Sequence, residues 1–318
     1  MRVQRYELFL YRQSFSMFFF DFSHIFTIFI LRSGRKSLNL HSDNTNMRHP
    51  PHAHGDASAT QTSDQHMNET IRGIVIKTVK YGDSSLIVDL FTESRGRCSF
   101  MTTTARIKRS VRTSTLWHPL SMVEFTADIR DNASRLPRPQ EVRSYYCYST
   151  LMFFPVKSAI ALFLAEFLSA ALREEKTNAP LYKYIESSLQ WLDTTADPRA
   201  IANFHIVFLM HLSRFIGIYP NLEGETDCFD LRSGCYTSLR PFHSDTLLGA
   251  EARALPTLFR LSYATMHVAR LSRTERMRTL NVLNDYYRLH MPGFPELKSI
   301  EVLHEMFSDP ADMPHGNE

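Results

Sequence analysis

Apolar residues recur along the chain with two different periods, and the change from one to the other divides it. From Ile71 to Thr104 the runs are short and strand-like. Ile71, Ile74 and Ile76 sit in a stretch rich in β-branched residues. Leu86, Val88 and Leu90 alternate with Ile87, Asp89 and Phe91, and Cys98, Phe100 and Thr102 form a third run. Gly82-Asp83 and Ser94-Arg95-Gly96 separate these runs, with Gly96 free to take positive φ. Leu120 to Ala127 makes a fourth strand, closed by an Asp131-Asn132 turn. Pro137 and Pro139 mark an edge before the fifth, Val142 to Cys147. Five short strands with a basic loop before the fourth predict the five-stranded Greek-key barrel called the OB-fold.

From Thr150 the period becomes helical. Ala159–Leu172 is apolar nearly all round and predicts a central buried helix. Glu166 interrupts it and reads as a capped or paired acid rather than a catalyst. Leu181–Leu192 is amphipathic. Asp197-Pro198 starts a helix whose stripe is Ile201, Phe204, Phe208, Leu212 and Phe215, with Gly217 closing it. Ser272 to Glu275 has the form of a capping box, with Met277, Leu280, Leu283 and Tyr287 behind it and Pro292-Gly293 as the stop. Leu297–Phe307 is a short last helix. Between the helices, Phe229, Leu231 and Tyr236 flank a Ser233-Gly234 turn and predict a small hairpin. The expected class is therefore α+β and multi-domain: an OB-fold barrel over 67–149, then an all-α domain over 150–310 with a hairpin insertion near 221–245, and a frayed tail at 311–318.

Residues 1–66 do not share this patterning. Phe15 to Leu31 is strongly apolar but holds Asp21 and His24, and it is short for a spanning helix, which takes about 20 apolar residues. Arg32, Arg35 and Lys36 follow it instead of a small-residue cleavage site, then a polar tract that cannot bury a core. The expectation is a non-globular extension, with Met67 as the first residue of the functional protein. The rival reading is a membrane-attached interaction protein anchored by residues 15–31.

Whole-chain charge, +3, decides nothing about partners. Its distribution does more. Between Met67 and Tyr148 stand thirteen Lys and Arg against eight Asp and Glu, so the barrel is the basic part. Arg106, Lys108, Arg109 and Arg112 place four positive charges in seven residues with no acid among them, and Lys77, Lys80, Arg95 and Arg97 fall at turns and edges. Lys and Arg heads bind phosphates with counterion release, and Trp117 or Tyr81 would supply faces on which bases stack. That pattern predicts nucleic-acid binding. Bond-breaking chemistry is absent as motif: there is no phosphate-cradling glycine loop, nucleophile elbow or paired zinc-protease histidines. The expectation is a non-enzyme, with a hydrolase of unrecognised site as a further reading. Cys98, Cys147, Cys228 and Cys235 form no disulfide framework and fit a reducing, cytoplasmic setting. Cys228 and Cys235, with Asp230 and His243 near, lack the two close ligand pairs of structural zinc.

The block Gly73-Ile74-Val75-Ile76-Lys77-Thr78-Val79-Lys80-Tyr81-Gly82-Asp83-Ser84-Ser85-Leu86-Ile87-Val88 resembles the opening of the RecO family of bacterial recombination mediators. Phe91-Thr92, Gly96-Arg97, the Arg106–Arg112 loop, Gly217-Ile218-Tyr219-Pro220 and Phe229-Asp230 continue the resemblance, over about Glu69 to Phe307. It implies an N-terminal OB-fold and a helical C-terminal domain. It also implies binding of single- and double-stranded DNA, annealing of complementary strands and help in loading RecA, in a cytoplasmic, nucleoid-associated protein. Implied partners are RecR and the single-stranded-DNA-binding protein, whose acidic tail docks on the helical domain; Arg270, Arg273, Arg276 and Arg278 are the candidates to receive it. Many relatives of this kind carry a four-cysteine zinc site in the helical interruption. Only Cys228 and Cys235 stand there in this chain, and no cofactor is expected.

Overall fold

Strand pairing begins where the β-branched runs begin. The computed structural model describes residues 68–103, 116–129, 135–173, 176–224 and 226–307. β1 (Asn68–Tyr81), β2 (Ser85–Thr92), β3 (Gly96–Thr103), β4 (Met122–Asp128) and β5 (Gln140–Tyr146) form one antiparallel sheet in the order β3-β2-β1-β4-β5. Gly82 (φ 61°) and Gly96 (φ 68°) turn its first two hairpins in the left-handed region that only glycine adopts without cost. The sheet is rolled. β3 and β4 stand three places apart, about 14 Å in a flat sheet at the usual strand spacing. Yet the rings of Phe100 on β3 and Phe125 on β4 meet edge to face at 4.9 Å. Across the seam the Met101 N–H donates to the Pro137 carbonyl at 2.9 Å. This is the partly open, OB-like barrel that the five runs predict.

The two faces of each strand serve two cores. Ile71, Val75, Val88, Leu90, Phe100, Trp117, Val123, Phe125 and Ala127 fill the barrel. Ile74, Ile76, Phe91 and Met122 point outward and pack against the helices, in one continuous cluster with Leu164, Phe167 and Tyr182. The helical half comprises α1 (Pro155–Ala171), α2 (Ala179–Thr194), α3 (Pro198–Phe215), α4 (Ala250–Phe259), α5 (Arg273–His290) and α6 (Ser299–Met306). A knuckle of β6 (Cys228–Asp230), β7 (Cys235–Tyr236) and β8 (Thr246–Leu248), in the order β7-β6-β8, stands between α3 and α4. The capping box forms as expected: Glu275 N–H donates to Ser272 Oγ, and Ser272 N–H to Glu275 Oε2. Glu166 caps α6, accepting from the N–H (2.8 Å) and hydroxyl (2.5 Å) of Ser299.

α4 is the helix that periodicity does not announce, because Pro256 lies inside it. Proline has no N–H, so the carbonyl of Ala252, four residues back, loses its helical donor. The Tyr236 hydroxyl takes that place at 2.6 Å, fastening the knuckle to α4.

Barrel and helices meet at Asp193. Its carboxylate is buried and accepts from the N–H groups of Ser149 (3.0 Å), Thr150 (2.7 Å) and Leu151 (2.7 Å), and from the hydroxyls of Ser149 and Tyr146. These donors hold its pKa down at about 2 against the opposing pull of burial. Lys157, also buried, donates to the carbonyls of Asp193 (2.8 Å) and Thr195 (2.7 Å) and so closes the C-terminus of α2. Asp193→Ala strands three converging N–H groups, that of Leu151 buried, and leaves buried Lys157 without its neighbouring charge, so it should cost about 3–5 kcal/mol. Urea unfolding should show this as a lower midpoint at unchanged slope, and a loss under 1 kcal/mol would show the linker to be held otherwise.

His205 sits wholly inside the helical core, against Phe163 and Phe307, and neither ring nitrogen finds a hydrogen-bond partner among the described residues. Burial, with the charge of Arg276 adding to it, pushes its pKa down to about 3. The unfolded chain binds this proton near pH 6.5, so stability is complete above that and is lost as pH falls toward 3. Between pH 7 and 5 the loss should be about 2 kcal/mol, and His205→Leu should remove that share of the pH dependence. A pH profile identical in the two proteins would contradict the assignment.

Candidate nucleic-acid interface

The β1–β2 hairpin continues to Tyr81 and Ser85, past the β1–β4 pairing, which ends at Ile74. A bulge at Ile76 shifts the register, after which Lys77 lies opposite Asp89, Thr78 opposite Val88 and Tyr81 opposite Ser85. Thr78 points inward, its hydroxyl donating to the Trp117 carbonyl at 2.7 Å. Lys77, Val79 and Tyr81 therefore share the other face. Lys77 and Lys80 are exposed, and among the described residues no carboxylate pairs with either. Asp89 is occupied elsewhere, by Arg97 Nη2 (3.0 Å) and Ser99 Oγ (2.6 Å). Tyr81 is 57 % exposed. Two free ammonium groups and an open aromatic ring thus come together on one short ribbon.

Several expected contacts fall elsewhere. Trp117 is only 4 % exposed and fills the barrel core, so it offers no face to a base. Arg97 turns inward: Nη1 donates to the Ser169 carbonyl on α1 at 2.8 Å while Nη2 pairs with Asp89, tying barrel to helix. Arg95 lies at the surface but pairs with Glu69 at 2.8 Å. Arg106, Lys108, Arg109 and Arg112 lie outside the described residues, as does the apolar segment 15–31. No described helix is long and apolar enough to cross a membrane.

Register also assembles basic residues that no local run reveals. Arg72, Glu124 and Arg143 face one another across β1, β4 and β5. Glu124 accepts from Arg72 Nε at 2.7 Å and also pairs with Arg143, and these two bonds hold its carboxyl below the usual range. The row keeps one positive charge in excess. Arg138 lines a cleft of about 340 Å³ at the barrel seam with Met101, Thr102, Thr103, Pro139 and Gln140. Thr103 is also the residue from which the basic loop departs.

On the helical half, the arginine quartet is largely committed. Arg278 makes a two-pronged pair with Glu251 (2.8 and 3.0 Å). Arg276 donates to the Leu271 carbonyl at 2.7 Å and lies over the Phe307 ring, and Arg273 is also engaged. Arg270 alone of the four stays exposed and, among the described residues, without a partner. A different place combines cation and apolar surface: a groove of about 340 Å³ lined by His211, Arg214, Tyr219, Leu222, Pro256, Phe259 and Arg260. Arg214 lies 4.2 Å over the Tyr219 ring, which meets Phe259 edge-on. His211 Nε2 lies 2.7 Å from the Leu261 carbonyl, which only accepts, so that nitrogen carries the proton.

Cys228 and Cys235 do not converge on a metal. Register places Cys235 opposite Asp230, with its sulfur 3.3 Å from the Ser233 hydroxyl, while Cys228 lies on the neighbouring strand. Among the described residues no group of three His, Cys, Asp or Glu could hold an ion, so the residues present do not fit the zinc site of the resembled proteins.

Residues 67–145 match the domain family described as "Recombination protein O N terminal", and residues 154–299 that described as "Recombination protein O C terminal". The chain is 49% identical over 238 residues to the DNA repair protein RecO of Phocaeicola vulgatus, taking in 74% of this chain and 98% of that protein. A RecO of Bacteroides fragilis (strain YCH46) is 49% identical over 238 residues, with 74% and 97% covered. One of Flavobacterium johnsoniae is 33% identical over 244 residues, with 74% and 98% covered.

The burial of Trp117 separates a structural from a binding role. Trp117→Ala should lower stability by about 3–5 kcal/mol in urea unfolding. Added oligonucleotide should leave the emission of Trp117 unquenched, and quenching by DNA would place its ring at the interface after all.

Proposed function

This chain belongs to the RecO family of DNA repair proteins, and from that premise we propose that it is a non-enzymatic recombination mediator that holds single- and double-stranded DNA through its barrel. The observation that carries the reading is the hairpin of Lys77, Lys80 and Tyr81, exposed and, among the described residues, without ion-pair partners, on a barrel whose third strand leads into four more cations. Phosphates are gripped by ammonium and guanidinium groups, which releases counterions and reads no sequence. Bases stay available to pair. Neutralised strands can approach one another, and annealing then needs no bond chemistry. Family membership supports delivery of the strand to RecA, together with RecR, and a cytoplasmic, nucleoid-associated location.

The acidic tail of the single-stranded-DNA-binding protein is assigned to the helical half, in the groove between Tyr219, Leu222, Pro256 and Phe259. Those side chains suit an apolar chain end, and Arg260 supplies an exposed charge for its acids. Arg260→Glu should weaken an acidic, Phe-ended peptide about tenfold, whereas Arg278→Ala should not. Fluorescence anisotropy with the full chain decides between them. The reverse order would return the site to α5.

Replacing Arg106, Lys108, Arg109 and Arg112 by Ala should flatten the slope of log affinity against log salt by about two to three for single strands, and Lys77→Ala with Lys80→Ala by about one more. The loss should be alike for different base sequences, and urea stability should hardly change. Annealing should fall along with binding. A folded sextuple variant that keeps affinity and slope would sink the proposed DNA path.

A further inference from the structure

The knuckle presents a second aromatic face that the barrel reading does not use. Beyond β7 the chain leaves at Thr237, crosses over and returns as β8 on the other side of β6. At the crest of this crossing stand Leu239, Arg240, Pro241 and Phe242. Leu239 is 81 % exposed, and Phe242 is wholly exposed, more so than any other large apolar residue among those described. Exposed apolar groups of this size call for a reason.

The crest is held from below. Arg232 Nε pairs with Asp245 at 2.7 Å, and the Leu231 N–H donates to the Asp245 carbonyl at 3.0 Å. Asp230 accepts from the Arg232 N–H (2.8 Å) and Ser233 Oγ (2.8 Å), with His243 Nε2 at 3.5 Å. Thr237 Oγ1 donates to the Leu239 carbonyl at 2.9 Å. These bonds fix the base of the loop and consume its two carboxylates. They leave the guanidinium of Arg240 exposed and, among the described residues, unpaired, two positions from the Phe242 ring.

We propose that Phe242 is a base-stacking platform and Arg240 its phosphate contact, a second single-strand contact on the knuckle beside that of the barrel. A ring free on both faces beside an unpaired cation is the pairing that sequence-tolerant single-strand binding uses. A protein partner is less well served. Leu239 and Phe242 together offer on the order of 300 Å², below the roughly 800 Å² per partner of a stable interface. Duplex DNA, with its bases already stacked on one another, has no free face to give. The proposal rests on the DNA-binding reading above and adds to it a contact specific for unpaired bases.

The test uses the full chain carrying Phe242→Trp. Trp117 and Trp191 lie in packed surroundings, Trp191 being stacked against Phe204 and Tyr263. A Trp at the crest therefore reports alone. Single-stranded oligonucleotide should quench its emission, and a hairpin duplex of equal charge should not. Phe242→Ala should weaken single-strand affinity about fivefold or more with duplex affinity unchanged, and Phe242→Trp should retain it. Arg240→Ala should lower the salt slope by about 0.7. If Phe242→Ala and Phe242→Trp leave single-strand binding and emission unmoved, while the Lys77/Lys80 variant still loses affinity, the crest is no platform and the barrel reading stands. If the unaltered chain binds no DNA, both readings fall. Equal quenching by duplex and single strand would overturn the stacking role.

Discussion

A single buried carboxylate decides how the two halves of this protein stand together. Asp193 lies at the C-terminal end of a helix, where the helix dipole disfavours negative charge. It is tolerated because three consecutive backbone N–H groups of the 149–151 linker converge on it and the Lys157 ammonium covers the neighbouring carbonyls. A buried ion is stable only when its hydrogen-bonding capacity is met, so the linker has little freedom in where it runs. The direction in which β5 hands over to α1 follows. So does the packing of Ile74, Ile76, Phe91 and Met122 onto the helices, which gives the barrel's outer face and the bundle a shared core beside the barrel's own.

That shared core explains why some charges cannot act on a ligand. An arginine near the junction finds buried carbonyls and acids to satisfy, as Arg97 does with Ser169 and Asp89. Cations far from the junction, at the tip of the β1–β2 hairpin, meet no such partners and keep their charge for solvent or phosphate.

Much of the architecture was legible in the chain because its signals are local. The first three strands and their glycine turns, the Asp197-Pro198 start and the Ser272–Glu275 box depend on residues within a few positions of each other, and each appears where its pattern lies. Trp117 was misjudged because an aromatic beside basic residues looks solvent-facing; only the rolled sheet shows it closing the barrel. The Arg72–Glu124–Arg143 row needs strand register, which spacing along the chain does not contain. The quartet of Arg270, Arg273, Arg276 and Arg278 looked free because Glu251, partner to Arg278, lies on another helix. α4 escaped notice because Pro256 argues against a helix unless a distant hydroxyl compensates it.

That compensation couples folding to occupancy. Pro256 lines the groove with a ring that has no donor to offer, and the carbonyl it orphans is claimed by Tyr236 from the knuckle. Whatever settles against Pro256 and Phe259 therefore binds a wall that the knuckle helps to hold. By linkage, each tenfold excess of such a ligand over its dissociation constant adds about 1.4 kcal/mol to the knuckle's resistance to local opening. A reversible occupant of the groove can thus stiffen the knuckle, and the crest carrying Phe242 would stiffen with it.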